Sequence, residues 1–168
     1  MANFAVFRSD LMSGTTVGAD LVSVKYMGPG AIETAIENGN IVKLDGLMTG
    51  EREVYKGVTP AANSALDEIV IIGSVEVPYD ERKRSLTDFI NEAGSICRGW
   101  IPRSRNKFSV TREALDGSGE PAVGNIVELQ AGTKMKFVAS ATASTTTVGK
   151  IIAVEPVGTL TYYVIEIA

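Results

Sequence analysis

Gly124-Asn-Ile-Val-Glu-Leu129 nearly repeats Gly39-Asn-Ile-Val-Lys-Leu44, with five of six positions identical. Each copy leads through a glycine-containing turn into a short run of alternating apolar and polar residues. Each then crosses a polar stretch and reaches an apolar run, at 69–77 and at 148–157. Because an internal repeat constrains the architecture before any residue chemistry is considered, the sequence predicts one β-unit used twice.

The patterns around the repeat predict a mainly β protein. Two related β-units, barrel-like or sandwich-like, are expected with one short α-helix at about 85–94 and a small hairpin between them. The division that follows is an N-terminal arm with edge strands at 1–38, a first β-unit with the helix and a basic hairpin at 39–116, and a second β-unit at 117–168. The glycine-rich loop at 116–121 marks the boundary on composition. The C-terminal strand, rich in β-formers, is expected in the middle of a sheet.

The helix prediction at 85–94 depends on its ends and on one stripe. Ser85 is a good N-cap, Asp88 suits the first turn, and Gly94 is placed as a C-terminal stop. Four apolar residues fall at i, i+3, i+4 and i+7, namely Leu86, Phe89, Ile90 and Ala93. The stripe is interpreted as core-facing.

The composition bounds the class of protein. The chain has 168 residues, 45% of them hydrophobic and 21% charged, which is typical of a folded globular protein. A net charge of −4 argues against a protein that binds nucleic acid through its phosphates over its whole surface. No window approaches the roughly 18 consecutive apolar residues of a membrane span, and the N-terminus lacks the layout of a secretory signal. Synthesis in the cytoplasm and no membrane partner are therefore expected.

The chain contains no histidine, which removes the common histidine-based nucleophile arrangements and histidine-containing metal sites. The single cysteine, Cys97, cannot form an internal disulfide and is interpreted as a small buried side chain. The glycine-containing loops lack the patterns of phosphate or dinucleotide sites. The prediction is no catalytic, cofactor-binding or metal-binding residue, and not an enzyme. A pair of carboxylates brought together by folding stays open as the enzymatic alternative.

The stretch from Arg82 to Arg112 is strongly basic. It holds eight cations against two anions, a net +6, so the rest of the chain carries −10. Such asymmetry marks an interaction face, and Trp100 stands among Arg98, Arg103 and Arg105. Three interpretations stay open: a protein interface, a stacking platform for single-stranded nucleic acid, or a solvated loop whose arginines pair with the protein's own acids.

The N-terminal segment is tipped with apolar residues and is interpreted as a strand that adds to a partner's sheet edge. The candidate partner-interface residues are therefore Phe4, Phe7, Arg98, Trp100, Arg103 and Arg105.

Five segments resemble the decoration or cement proteins of tailed-phage heads. They are Tyr79-Asp-Glu-Arg-Lys83, Leu86-Thr-Asp-Phe-Ile-Asn-Glu-Ala-Gly94, Arg98-Gly-Trp-Ile101, Phe108-Ser-Val-Thr-Arg-Glu-Ala-Leu115 and Val123-Gly-Asn-Ile-Val-Glu-Leu129. The resemblance covers residues 39–168. It lies in the general character and order of the segments, and it includes no diagnostic motif. It implies a β-rich module on the outside of an assembled capsid that bridges neighbouring subunits, with no catalytic residues and no cofactor.

The expected function is a non-enzymatic structural virion protein on the capsid exterior that stabilises the shell. Its expected partner is the major capsid protein, with self-association into a dimer or trimer left open. Two alternatives remain at this point: another virion component, such as a head fibre base or connector part, and a single-stranded nucleic-acid-binding β-barrel.

Overall fold

The computed structural model describes residues 3–8, 20–78, 80, 82 and 85–168. Within them the chain is mainly β, which confirms the predicted fold class. The strands are β1 (Leu21–Gly28), β2 (Ile32–Glu33), β3 (Ile41–Leu47), β4 (Val54–Val58), β5 (Ile69–Ile72), β6 (Ile96–Trp100), β7 (Lys107–Thr111), β8 (Leu115–Asp116), β9 (Ile126–Glu128), β10 (Met135–Val138), β11 (Thr147–Val157) and β12 (Leu160–Ile167). Short 3-10 turns lie at Leu66–Glu68, Leu86–Asp88 and Arg112–Ala114.

The strands form two sheets. The first has the order β2-β1-β4-β3-β5-β6, and a further pairing of β1 with β6 closes five of its strands into a barrel. The second has the order β7-β12-β11-β9-β10-β8 and is a curled, open sheet. β12 lies between β7 and β11, so the prediction of a central C-terminal strand is confirmed.

The two sheets repeat one topology. The order β4-β3-β5-β6 in the first matches β10-β9-β11-β12 in the second. The next neighbour is parallel in both cases, since β1 pairs parallel to β4 and β8 pairs parallel to β10. β1 also pairs with β6, and in the second sheet that role belongs to β7, which precedes β8 and pairs with β12. In the second unit, the strands β8 and β7 therefore share the two pairings that β1 makes alone in the first unit.

The repeated hexapeptides occupy equivalent places in the two units. The N–H of Gly39 donates to the carbonyl of Ile72 at 2.7 Å, and that of Gly124 donates to the carbonyl of Ile151 at 2.8 Å. The return bonds, from Ile72 and Ile151 to the residue after each glycine, are 2.8 and 2.9 Å long. Both glycines have positive φ, +81° and +98°, a conformation that favours glycine. The sequence repeat is thus a structural repeat.

β5 explains how the units are joined. All four of its residues are buried, because one face lines the barrel and the other faces the second sheet. Val70 and Ile72 belong to the barrel interior, whereas Ile69 and Ile71 join the shared core, which takes side chains from both sheets. The shared core includes Phe7, Ile41, Ile69, Ile71, Phe108, Val110, Val127, Ile151 and Ile165. A strand buried on both faces has a continuous apolar sequence, as Ile69–Ile72 does.

The predicted α-helix at 85–94 is wrong. Only Leu86–Asp88 form a 3-10 turn, although Ser85 does cap it by accepting from the N–H of Thr87. The chain is already extended at Phe89, and the backbone of Asn91 pairs with Ile36 in an isolated bridge. Because a helix of this length is marginal without packing, the bridge to a segment distant in the chain outweighs the local propensity.

The predicted basic hairpin is also wrong. β6 belongs to the first sheet and β7 to the second, so residues 101–106 link the two sheets. The predicted boundary near 116 therefore does not coincide with the division between the sheets. β1, which the prediction placed among an arm and edge strands, is paired on both sides. Residues 9–19 of that arm lie outside the described part of the chain.

Candidate partner-binding surface

The N-terminal segment packs onto the protein itself. Phe7 is 2% exposed, and its ring centroid lies 5.7 Å from that of Phe108. The N–H of Arg8 donates to the carbonyl of Ser109 at 3.0 Å, which adds the segment to the edge of β7. Phe4 is half-buried, and its N–H donates to the carbonyl of Thr87. The structure therefore places Phe7, a predicted interface residue, inside the shared core.

Trp100 is half-buried against the shared core. Its indole N–H donates to the carbonyl of Gly73 at 3.1 Å. A Cβ added at Gly73 would lie 2.6 Å from the ring of Phe7, so the backbone there approaches both aromatic side chains closely. Trp100 thus holds the end of β5 and is less accessible than a base-stacking platform requires.

The three predicted interface arginines have different surroundings. The Nε of Arg103 lies 2.8 Å from Oδ1 of Asp20, and a guanidinium nitrogen of Arg105 lies 3.6 Å from Oε1 of Glu166. These two pair with the protein's own carboxylates, as the solvated-loop alternative predicted. Arg98 is exposed and has no ion pair with any described residue.

Other cations of the basic stretch are paired too. The Nζ of Lys107 lies 3.0 Å from Oε2 of Glu166, and this hydrogen bond lowers the pKa of the Glu166 carboxyl. Arg82 pairs with Asp80 at 3.1 Å. Lys83 and Arg84 lie outside the described residues. Among the described cations of the basic stretch, Arg98 is the exposed one that has no ion pair with a described residue.

The two units differ most between their last two strands. In the second unit Gly158 and Thr159 alone connect β11 to β12. In the first unit residues 73–95, the insertion, separate β5 from β6. The second unit completes the same strand order without such a segment, so the strand order does not require the insertion. Added segments on a rigid scaffold are where binding function is commonly found.

The insertion forms one side of an apolar groove. A cavity of about 500 Å³ is lined by Val75, Val77, Phe89 and Ile96, among others. A second cavity, of about 390 Å³, shares Val75 and Ile96 with the first and continues to Arg98. Val75, Val77 and Ile96 are 58%, 70% and 59% exposed. They lie together, whereas the exposed apolar side chains of a folded protein are usually isolated from one another. We call these two adjoining cavities the insertion groove.

A buried hydrogen-bond network holds the groove in shape. The side-chain oxygen of Asn38 accepts from the N–H of Ser74 and from the amide of Asn91, both at 3.0 Å. Its amide donates to the carbonyl of Ser74 at 2.9 Å and to Oε1 of Glu76 at 3.0 Å. The backbone of Asn91 exchanges two bonds with Ile36, of 2.9 and 3.0 Å. Both walls are thus fixed to the barrel, and the groove is largely preformed.

The two cavities of the groove carry charges of opposite sign. Asp80, Asp88 and Glu92 line the larger cavity, and Arg98 lines the smaller one. Asp88 accepts a hydrogen bond from the side chain of Asn3 at 2.8 Å. Sequence reasoning singled out Arg98 but missed the apolar walls. The alternation of apolar and polar residues in Val75-Glu76-Val77 is the same whether the valines face a core or solvent, so the sequence gives no signal that these valines are exposed.

The β11–β12 hairpin is a second exposed feature. β11 pairs with β9 only as far as Lys150, so its residues 152–157 have a strand on one side only. Ile152, Val154 and Val157 are exposed there. Pro156 stands in this free stretch and has no N–H to donate to an added strand. The hairpin is therefore less suited to a docking strand than the insertion groove.

The described residues contain no group of three or more Cys, Asp or Glu side chains able to hold a metal ion. In the same part of the chain no helix has the length and apolarity to cross a membrane. No protein-family model, curated protein or solved structure matches this chain.

Proposed function

We propose that this protein is a non-enzymatic structural component of a tailed-phage virion that binds the outer surface of the head and stabilises the shell. The observation that carries the proposal is the insertion groove, an exposed apolar surface on a segment that the strand order does not require. The resemblance of residues 39–168 to head decoration proteins supplies the identity of the partner, the major capsid protein.

The apolar walls supply a modest binding energy. Covering an exposed valine or isoleucine contributes at most about 1.5–3 kcal/mol, and less where the side chain is already partly buried. Val75, Val77 and Ile96 together therefore support a weak contact. A cement protein uses weak contacts effectively when one molecule engages two neighbouring subunits, because the second contact becomes intramolecular.

The nucleic-acid alternative loses support from the placement of its key residues. Trp100 donates its indole N–H to Gly73, and Arg103 and Arg105 pair with carboxylates of the protein. A single-stranded nucleic acid would have to break these contacts and meet the carboxylates along the groove. Another virion component, such as a fibre base or connector part, would use the same groove on a different partner.

The test is sedimentation of the purified protein with empty phage heads that lack it. Saturable binding to assembled shells, absent with free capsid subunits, is expected, together with a higher temperature of shell disruption. Saturable binding to tails or connectors instead would favour the other virion roles, and salt-sensitive retention on single-stranded DNA would favour the nucleic-acid role. Absence of saturable shell binding would overturn the proposal.

Val75→Asp provides the matched variant, with Val123→Asp as control. Val123 is 63% exposed, close to the value for Val75, and lies in a turn of the second unit. Val75→Asp is expected to weaken shell binding by about tenfold or more, the effect of roughly 1.4 kcal/mol. The control is expected to bind as the wild type does. Equal unfolding midpoints for the two variants would show that the difference lies in the surface and not in folding.

A further inference from the structure

We propose that the insertion groove takes an extended peptide segment with apolar side chains at alternate positions and a Lys or Arg at one end. This inference rests on the proposed function, since the segment is supplied by a shell subunit. It names the conformation and chemistry of the occupant, which the proposed function leaves open.

The two cavities of the groove lie side by side. Ser74, Val75 and Ile96 line both of them, so an occupant of both cavities crosses these residues. Val75 and Val77 stand at i and i+2 on one wall, while Glu76 between them is turned to Asn38. The N–H of Val77 donates to the carbonyl of Val75 at 2.9 Å, so the chain makes a three-residue turn here, and both valines line the larger cavity. An extended peptide turns alternate side chains to one face, so apolar residues at alternate positions can meet this wall.

The backbone of β6 offers hydrogen bonds on the same side. The N–H of Arg98 donates to Oγ of Ser74 at 3.1 Å, and its carbonyl accepts from Gly73 at 2.9 Å. Alternation along a strand turns the N–H and carbonyl of Ile96 in the same direction. The insertion has left β6 by this point, and none of its described residues bonds to the Ile96 backbone. An extended peptide can therefore pair with β6 at Ile96.

The charges specify the ends of the peptide. The charged side chains described in the lining of the larger cavity are all carboxylates, namely Asp80, Asp88 and Glu92. Of these, Asp80 already pairs with Arg82, whereas Glu92 is exposed. A Lys or Arg at this end of the peptide complements Glu92 and Asp88, and an acidic or carbonyl group at the other end complements Arg98. Complementary charges of this kind set orientation and specificity.

Crosslinking from the groove tests the occupant. The chain's one natural cysteine, Cys97, is buried, so Val77→Cys introduces an accessible thiol in the groove. A cleavable thiol-linked photo-crosslinker is attached there, the protein is bound to empty heads, and the linked peptides are sequenced by mass spectrometry. The expected product joins position 77 to one segment of the shell subunit with alternating apolar residues and a flanking Lys or Arg. Val123→Cys, labelled in the same way, is expected to give no link to that segment.

The outcomes separate this inference from the proposed function. If labelled protein binds shells saturably but position 77 links to a second copy of this chain, or to no segment of that chemistry, the inference is overturned and the proposed function stands. If the wild type does not bind shells, both are overturned. Charge reversal adds an independent readout, with Glu92→Lys expected to weaken shell binding about tenfold at low salt and less at high salt. Glu155→Lys, an exposed change on the β11–β12 hairpin, is the control and is expected to have no such effect.

Discussion

The ring of Phe7 lies 5.7 Å from the ring of Phe108, inside the core that both sheets share. The segment that carries Phe7 also contacts the first unit, because the N–H of Ala5 donates to Oε2 of Glu37 at 3.0 Å. On its other side the N–H of Val6 donates to Oγ1 of Thr111 at 3.1 Å. Residues 3–8 therefore connect the two units and contribute to the stability of the whole chain.

Phe7→Ala tests this role. Removing a fully buried phenylalanine side chain typically costs about 3–5 kcal/mol, through lost transfer energy and the cavity that remains. We expect a decrease of that size in the free energy of unfolding, measured by urea denaturation. Phe4→Ala is the control, and its effect is expected to be smaller because Phe4 is only half-buried. Equal effects of the two variants would contradict the assignment of Phe7 to the shared core.

Asn38→Ala tests the network beneath the insertion groove. Loss of the Asn38 amide leaves the partly buried N–H and carbonyl of Ser74 without this partner, and a group left unsatisfied in this way costs up to about 1–3 kcal/mol. We expect lower stability in thermal unfolding and weaker shell binding, since the groove wall at Ser74 and Glu76 loses its anchor. Asn40→Ala is the matched control, because Asn40 is also buried but makes one long side-chain bond, from its amide to Oγ1 of Thr133 at 3.4 Å, and its oxygen has no partner. An Asn40→Ala variant as unstable as Asn38→Ala would count against the network.

Cys97 is expected to be unreactive in the folded protein. Its side chain is buried in the barrel, and this burial raises the pKa of the thiol to about 11. At pH 8 the thiol is therefore protonated as well as shielded, and the thiolate is the reactive form. A chromogenic aromatic disulfide should react slowly with the native protein and at once in urea. Rapid stoichiometric reaction of the native protein would show that the barrel opens at β6.

Tyr163 is expected to make stability depend on alkaline pH. Its hydroxyl donates to Oε2 of Glu120 at 2.9 Å, and burial together with this carboxylate raises the pKa of Tyr163 from 10.0 to about 12. The folded state then holds the phenolic proton more tightly than the unfolded state does. The resulting stabilisation is complete below pH 10 and is lost as the pH rises toward 12.

Tyr163→Phe removes the titrating group and keeps the ring. The difference in unfolding free energy between wild type and variant is expected to shrink between pH 10 and pH 12, the window set by the two pKa values. Urea denaturation at several pH values between 8 and 12 measures this difference, and it cancels the titration of other groups. A difference that stays constant through the window would mean that Tyr163 has the same pKa in the folded and unfolded states.

The repeat and the strand types could be predicted from sequence because they are local. A glycine with positive φ followed by Asn-Ile-Val makes the same turn into a strand in both units, so the hexapeptides at Gly39 and Gly124 make the same backbone bonds. Continuous apolar runs such as Ile69–Ile72 and the β-formers of β12 are likewise properties of short segments. Their burial follows from composition, whichever strand becomes their neighbour.

Partner choice was decided only by the tertiary structure. Residues 85–94 have a helical pattern, but the bridge between Asn91 and Ile36 joins segments far apart in the chain and outweighs it. β6 and β7 are neighbours in sequence, yet they enter different sheets. The local sequence determines what a segment can be, whereas burial and hydrogen bonding across long separations decide which of those options lowers the free energy. For the same reason the sequence drew attention to Phe7 and Trp100 as a surface, and folding buried the first and left the second half-covered, with Val75 and Ile96 exposed in the groove.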